Sequence, residues 1–283
     1  MTTMTTAQER LTATAPVAAR PTTVARVLRS EWVKMRTLRS TWITSAAALL
    51  VMVGFGLIAA RMQVSTHGGA VTGPGNPPGT IRNPLSTVLT GANLAVLIAS
   101  VWGSTIGARE YGTGMIRTTM SVAPRRLPVL WGKLASFAGF MLPTLAVGLL
   151  GAFFAGMKVL SGGGLPTMAW GDPGVARSVF GMGYYIFGLG LIGLALGMLL
   201  RIQAAAIGTV IGAILFLPAL ASALLPSSWS EVLKYLPSNA GEAFTTVTQG
   251  IGKLSAGQGF LVFTAWIATA IACTAIALKR RDV

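Results

Sequence analysis

The chain has 283 residues but only one cysteine, Cys273, and one histidine, His67. The lone cysteine excludes a disulfide scaffold and a cysteine-based metal site. The lone histidine excludes any site that needs two. Charge is scarce as well: 10% of residues are Asp, Glu, Lys or Arg against 53% hydrophobic, and the mean hydropathy is +0.67. A soluble domain carries about 25% charged residues, so this chain lacks the polar groups to cover a globular surface. Its class is integral membrane protein, with the lipid bilayer as its solvent. Acids are the scarcest charges, 7 against 22 Lys and Arg, which leaves a net +15. In a soluble protein that balance would suggest nucleic acid. In a membrane protein it asks which side of the bilayer the cations occupy, and no nucleic-acid partner is expected.

What the chain has in plenty is long apolar runs. Residues 1–23, rich in Thr, Ala and Pro, lack the short apolar core of a signal peptide and read as a disordered cytoplasmic tail. Beyond them the spacing predicts an amphipathic helix over 24–40, then an all-α membrane domain over 41–283. Its six transmembrane helices are expected at about 42–60, 85–108, 127–155, 178–200, 204–225 and 260–278. The stretch Phe180–Leu225 carries a single charge, Arg201. As one helix it would reach roughly 69 Å against a hydrocarbon core of about 30 Å. It therefore divides at Arg201-Ile202-Gln203, the polar break, because an arginine at mid-bilayer costs about 2.5–3.5 kcal/mol.

Charge orients the six spans. Sixteen Lys and Arg fall on the side of both termini: seven up to residue 40, five over 109–133, Arg201, and three after residue 278. The opposite side has six: Arg61, Arg82, Lys158, Arg177, Lys234 and Lys253. The positive-inside rule then predicts a multi-pass plasma-membrane protein with both termini cytoplasmic. On the outer side, residues 62–84 read as a flexible Gly/Pro-rich loop. Trp229, Val232, Leu233 and Leu236 have the spacing of a short amphipathic helix at the outer interface.

Two motifs need weighing. Gly188-Leu-Gly190-Leu-Ile-Gly193 matches a dinucleotide fingerprint, but it lies within a span and has no strand–turn–helix context. The informative feature is the recurrence of Gly183, Gly190, Gly193 and Gly197, a smooth face for close helix packing; Gly103/Gly107 and Gly208/Gly212 repeat it in spans 2 and 5. In the 24–40 helix, Val24, Leu28, Trp32, Met35 and Leu38 make an apolar stripe. Glu31 sits at its edge and needs a partner: Lys34 nearby, or the cytoplasmic end of another helix.

The most elaborate segment is the connection between spans 2 and 3, Arg109-Glu110-Tyr111-Gly112-Thr113-Gly114-Met115-Ile116-Arg117, running on to Pro124-Arg125-Arg126. It combines glycines for a turn, a short helix with a polar face, and a proline stop. A solvated connector needs none of these; a surface built to press on a soluble partner does. Glu110 is the only carboxylate in a cytoplasmic connection, set among arginines.

The pattern Glu-Tyr-x-x-Gly-x-Ile-Arg…Pro-Arg-Arg, following a helix that begins Ser30-Glu31-Trp32-x-Lys34, resembles the permease subunits of ABC-2 type ABC transporters, in particular the small six-span actinobacterial ones that pair with a separate ATPase. The likeness covers residues 24–283 and includes Tyr235-Leu236-Pro237-Ser238-Asn239-Ala240-Gly241. Met115 departs from it, standing where many relatives carry Thr. The resemblance implies that 24–40 is an elbow helix with Glu31, Trp32 and Lys34. It also implies a cytoplasmic coupling helix over 110–124, docking on the ATPase through Glu110, Tyr111, Gly114, Ile116, Arg117, Pro124 and Arg125. Arg201 and Gln203 would make a second cytoplasmic contact. A second permease subunit, identical or homologous, would complete the pathway.

The chain has no G-x-x-x-x-G-K-[ST], so ATP and Mg²⁺ would belong to the partner and this subunit would hold no cofactor and no metal. An enzyme is not expected, since neither a paired-histidine site nor G-x-S-x-G is present. The alternatives are an ion-coupled secondary transporter, disfavoured because all seven acids are expected in tails or connections and none in a span, and a non-transporting scaffold, which leaves the 109–126 connector unexplained.

Overall fold

A computed structural model of the chain describes residues 23–66, 83–112, 114–115, 127–224, 226, 229–247 and 252–280. Among these the fold is all-α, and six helices are long and apolar enough to cross a membrane. The protein is a multi-pass membrane protein. Helix α1 covers Val24–Thr37 and leads directly into the first span, α2, Arg39–Ser65. A short α3, Pro84–Val88, precedes the second span, α4, Thr90–Gly112. The third and fourth spans are α5, Leu127–Gly162, and α6, Val175–Leu200. The fifth is α7, Gln203–Ile211, continued through a π-helical turn at Gly212–Phe216 into α8, Leu217–Leu224. Two short outer helices, α9 (Ser230–Leu233) and α10 (Pro237–Thr245), precede the sixth span, α11, Ala256–Arg280.

All six expected spans form, with ends set by local chemistry. Span 2 begins at Thr90 because Asn83 accepts a hydrogen bond from Leu85 N and starts a separate helix, with Pro84 at its first position. The expected loop over 62–84 is shorter at both ends, since residues 62–65 continue the first span and Pro84 opens α3; residues 67–82 lie outside the described residues. Helix α5 runs on to Gly162, roughly 54 Å at 1.5 Å per residue, so it projects beyond a ~30 Å core. In the fifth span the widened turn comes just before Pro218, whose ring excludes the carbonyl four residues back. Leu217 N instead reaches Gly212 O, five residues back.

The central pair is α4 against α6. Span 2 is the most buried of the six, 61% inside the protein, against 22% for α2, 17% for the fifth span and 22% for α11. Glycine permits the contact. A Cβ added at Gly193 would overlap the Ser100 carbonyl oxygen, one at Gly197 the Ser104 carbonyl oxygen, and ones at Gly103 and Gly107 the backbone of Gly190 and Leu194. The α4 hydroxyls on this face return to their own helix, Ser100 Oγ to Val96 O and Ser104 Oγ to Ser100 O, at 2.7 and 2.8 Å. No polar group is left competing for the seam. Gly183 belongs to a different contact, with the Leu149 side chain of α5. Gly208 and Gly212 depart from the expectation: among the described residues no neighbouring atom lies within 4 Å of an added Cβ, so this pair on the fifth span meets no other described helix.

The outer end also differs from its expected form. The amphipathic helix from Trp229 to Leu236 shrinks to Ser230–Leu233, with Trp229 and Val232 exposed. The ordered element is α10, opened by Pro237 at its first turn, which buries Ala240, Gly241, Ala243 and Phe244. Gly241 lies under the Tyr185 ring and Gly259 against Ala240 O, so α10 wedges between α6 and α11. Arg177 closes this end by donating to the Thr246 and Val247 carbonyls at 3.1 and 3.2 Å.

Candidate functional site

Helix α1 forms because residues 24–37 alternate apolar and basic side chains at helical spacing. Its inward face is one edge of the apolar stripe, where Met35 and Glu31 meet the bundle. The two buried residues are Glu31 and Met35, one turn apart, while Val24, Trp32 and Val33 remain exposed. Trp32 still contributes, lying 4.9 Å from the Phe140 ring centroid of α5, over Gly139, where a Cβ would meet the indole. Gly132, two turns earlier on α5, clears room for Glu31: a Cβ there would stand 3.0 Å from Glu31 Cγ.

Glu31 enters a closed ring of four charges from three helices. Lys34 Nζ lies 2.7 Å from Glu31 Oε1 and 2.9 Å from Glu110 Oε1. Lys133 Nζ lies 3.0 Å from Glu110 Oε1 and 3.4 Å from Glu31 Oε2. Two ammonium groups and two carboxylates cancel, which is the condition for keeping such charges out of water. The side chains of Glu31, Lys133 and Glu110 are only 5%, 4% and 10% exposed; Lys34 is the outer member at 37%. Burial pulls the Lys34 ammonium towards neutrality, but its hydrogen bonds to Glu31 and Glu110 outweigh this and raise its pKa above 10.5. The ring ties α1 to the last turn of α4 and the first turns of α5.

A second bracket joins the same end. Helix α6 stops at Arg201, which adopts a left-handed φ of 62°, and its N–H caps Gly197 O at 3.1 Å. That conformation costs a non-glycine residue roughly 1–2 kcal/mol. The guanidinium sits over the Tyr111 ring, 5.3 Å from its centroid, a cation–π contact that offsets part of the cost. Gln203 Nε2 donates to Thr105 Oγ1 at 3.3 Å. The α6–α7 turn is thus held against α4 one turn from the charged ring. Gly114, with φ 71°, turns the chain out of α4 in a conformation that favours glycine.

Of the residues singled out from sequence, the fold gathers Glu31, Lys34, Glu110, Tyr111, Arg201 and Gln203 at one end of the bundle. Ile116, Arg117, Pro124 and Arg125, with most of the expected coupling helix, lie outside the described residues. Two expectations need correction. The Glu110 carboxylate faces inward, to lysines of two other helices, so it braces the base of the connector and is not displayed on its surface. Not every acid lies outside the spans: Glu110 is within α4, because the helix continues to Gly112. Lys133 was the residue missed. Its signal was a lysine six residues into an apolar run, a placement that demands a partner. Among the described residues no cluster of His, Cys, Asp and Glu could hold a metal ion.

No family model matches the chain, and neither does any curated protein.

Proposed function

We propose that this chain is the membrane-spanning permease subunit of an ATP-driven exporter of the ABC-2 type. It would sit in the plasma membrane with both termini cytoplasmic and pair with a second permease and with P-loop ATPase subunits. The observation that carries the reading is the convergence at one end of the bundle. The amphipathic helix, the base of the 109–126 connector and the Arg201 turn are braced together by the charged ring and the Arg201–Tyr111 contact. The sequence resemblance of these same segments supports it. So does the distribution of basic residues, since the braced end carries the larger share.

In this reading α1 is the elbow helix and the connector is the coupling element. ATP and Mg²⁺ bind the partner, whose closure pushes the connector. Because Glu110 is held by Lys34 and Lys133, the push moves α1, the end of α4 and the start of α5 together, as a rigid-body tilt. The α4–α6 glycine seam passes the movement to the fourth span. Glu110, Lys133, Glu31 and Lys34 are positioning residues. The experiment is purification of the tagged chain from its native membrane in mild detergent. A P-loop ATPase should co-purify stoichiometrically and should be lost with Arg117→Glu in the connector. A chain that purifies without any ATPase overturns the reading.

A further inference from the structure

At the end of the bundle opposite the charged ring, a cavity of about 460 Å³ lies between the α3–α4 corner and the contact of α10 with α6. Its volume falls within the ~300–1,000 Å³ typical of small-molecule sites. Its apolar lining consists of buried side chains, Leu85 and Leu89 from the corner and Met182 from α6. Local bonds fix its sides. Asn83 Oδ1 accepts from Leu85 N at 2.9 Å and holds the corner. Arg177 holds the chain after α10 through the Thr246 and Val247 carbonyls. Gly181 lets α10 close on α6, since a Cβ there would stand 2.6 Å from Phe244 O. The space is therefore built into the fold.

The polar lining offers donors and acceptors together. The Asn93 amide is exposed and makes no hydrogen bond among the described residues, and the Asn83 amide nitrogen is equally unengaged there. Glu242 accepts from Lys253 through Oε1, which leaves Oε2 and further ammonium N–H groups available. The two side chains of this pair are 47% and 49% exposed, so it adds little to the fold and can open to a ligand's hydrogen bonds. Charge selects no ion here, because carboxylate and ammonium cancel. A purely apolar ligand would strip water from the amides and the ion pair without replacing it. Hydroxyl groups fit: each one both donates and accepts, so it can bridge a carboxylate to an ammonium or pair with either end of an amide.

We propose that this cavity binds a neutral polyhydroxylated group, a sugar whose hydroxyls meet Asn83, Asn93, Glu242 and Lys253 while its C–H face lies on Leu89 and Met182. The sugar is either free in solution or the headgroup of a glycolipid, since both present the same chemistry to the cavity. The site rests on the cavity and its lining alone and does not depend on the exporter reading.

The test uses the full chain in phosphatidylcholine nanodiscs and maltose carrying a photoreactive diazirine, with the adducts mapped by mass spectrometry. Labelling should fall on residues 83–93 and 242–247 and should be competed by unmodified maltose. Glycine betaine, a zwitterion without hydroxyls, and inorganic phosphate should not compete. Asn93→Ala, a change at an exposed position, should reduce labelling at sub-saturating maltose about fivefold, the ratio expected for one lost hydrogen bond. Met182→Trp, which fills the apolar lining, should remove it. Nanodiscs containing diglucosyl diacylglycerol separate the two sources: suppressed labelling identifies the lipid headgroup, unchanged labelling the free sugar. Labelling confined to other segments, competition by betaine or phosphate equal to that of maltose, or full labelling of both variants would each overturn the proposal.

Discussion

Gly193→Ala is the sharpest probe of the bundle, because the contact it disturbs is with backbone. The added Cβ would stand 3.0 Å from Ser104 Oγ and 3.3 Å from the Ser100 carbonyl carbon, and closer still to the Ser100 oxygen. A carbon–oxygen contact across a helix pair is comfortable at about 3.3–3.6 Å. Ser100 O is fixed in the α4 helix and accepts from Ser104 Oγ, so it cannot rotate away and the helices must separate. Overpacking of this kind costs about 1–3 kcal/mol. Alanine also gains up to ~1 kcal/mol over glycine in helix propensity, and that gain must be measured separately. Gly208→Ala provides it, since nothing lies within 4 Å of a Cβ there. The assay is unfolding in mixed micelles, with free energies from the denaturant midpoint. Gly208→Ala should be neutral or slightly stabilising, and the difference between the variants should recover the ~1–3 kcal/mol steric cost. Equal stabilities would mean that α4 and α6 do not meet on this face.

Removing one member of the charged ring should be far worse than removing a surface pair. Lys133→Met leaves two carboxylates facing one lysine and should cost about 3–5 kcal/mol in the same unfolding assay, whereas Lys253→Met, at an exposed pair with Glu242, should cost at most ~1 kcal/mol. The pH dependence has a definite sign. Lys34 has a raised pKa, so its contribution to α1 docking is full below 10.5 and is lost only as pH rises through its higher folded-state value. Limited proteolysis of α1 should show no alkaline transition below 10.5. Orientation is tested in a Cys273→Ser background with an impermeant maleimide on intact cells: Thr72→Cys should react and Thr118→Cys should not. The reverse pattern would invert the topology.

Much of this fold was legible in the sequence because hydrocarbon imposes a simple rule. A helix must satisfy its backbone internally, so each span shows as an apolar run. Arg201 marked a turn for the same reason. Which glycines face a neighbour was less legible. Gly103, Gly107, Gly193 and Gly197 share a motif with Gly208 and Gly212, yet only the first four meet another helix, and spacing within one helix says nothing about the next. The charged ring was half visible. Glu31 demanded a partner and found both the expected kinds, a neighbour in Lys34 and another helix in Lys133. That Glu110 shares the same lysines depends on three helix ends converging, a tertiary fact that pairs residues 76 and 102 positions apart. The α10 wedge was hidden because three of its four buried residues, Ala240, Gly241 and Ala243, are small, and Phe244 alone does not make an apolar stripe.

The central claim is that the charged ring makes α1, the end of α4 and the start of α5 one moving body. A disulfide between Val27→Cys and Gly132→Cys, in a Cys273→Ser background, tests it directly, since Val27 Cγ1 lies 3.7 Å from a Cβ placed at Gly132. On the proposed reading, the measurement is ATP hydrolysis by the complex of this chain with the ATPase proposed as its partner, reconstituted in lipid, before and after oxidation. If α1 and α5 move together, the crosslink should leave hydrolysis unchanged. Hydrolysis that stops on oxidation and returns on reduction would show α1 moving against α5 and would contradict the account.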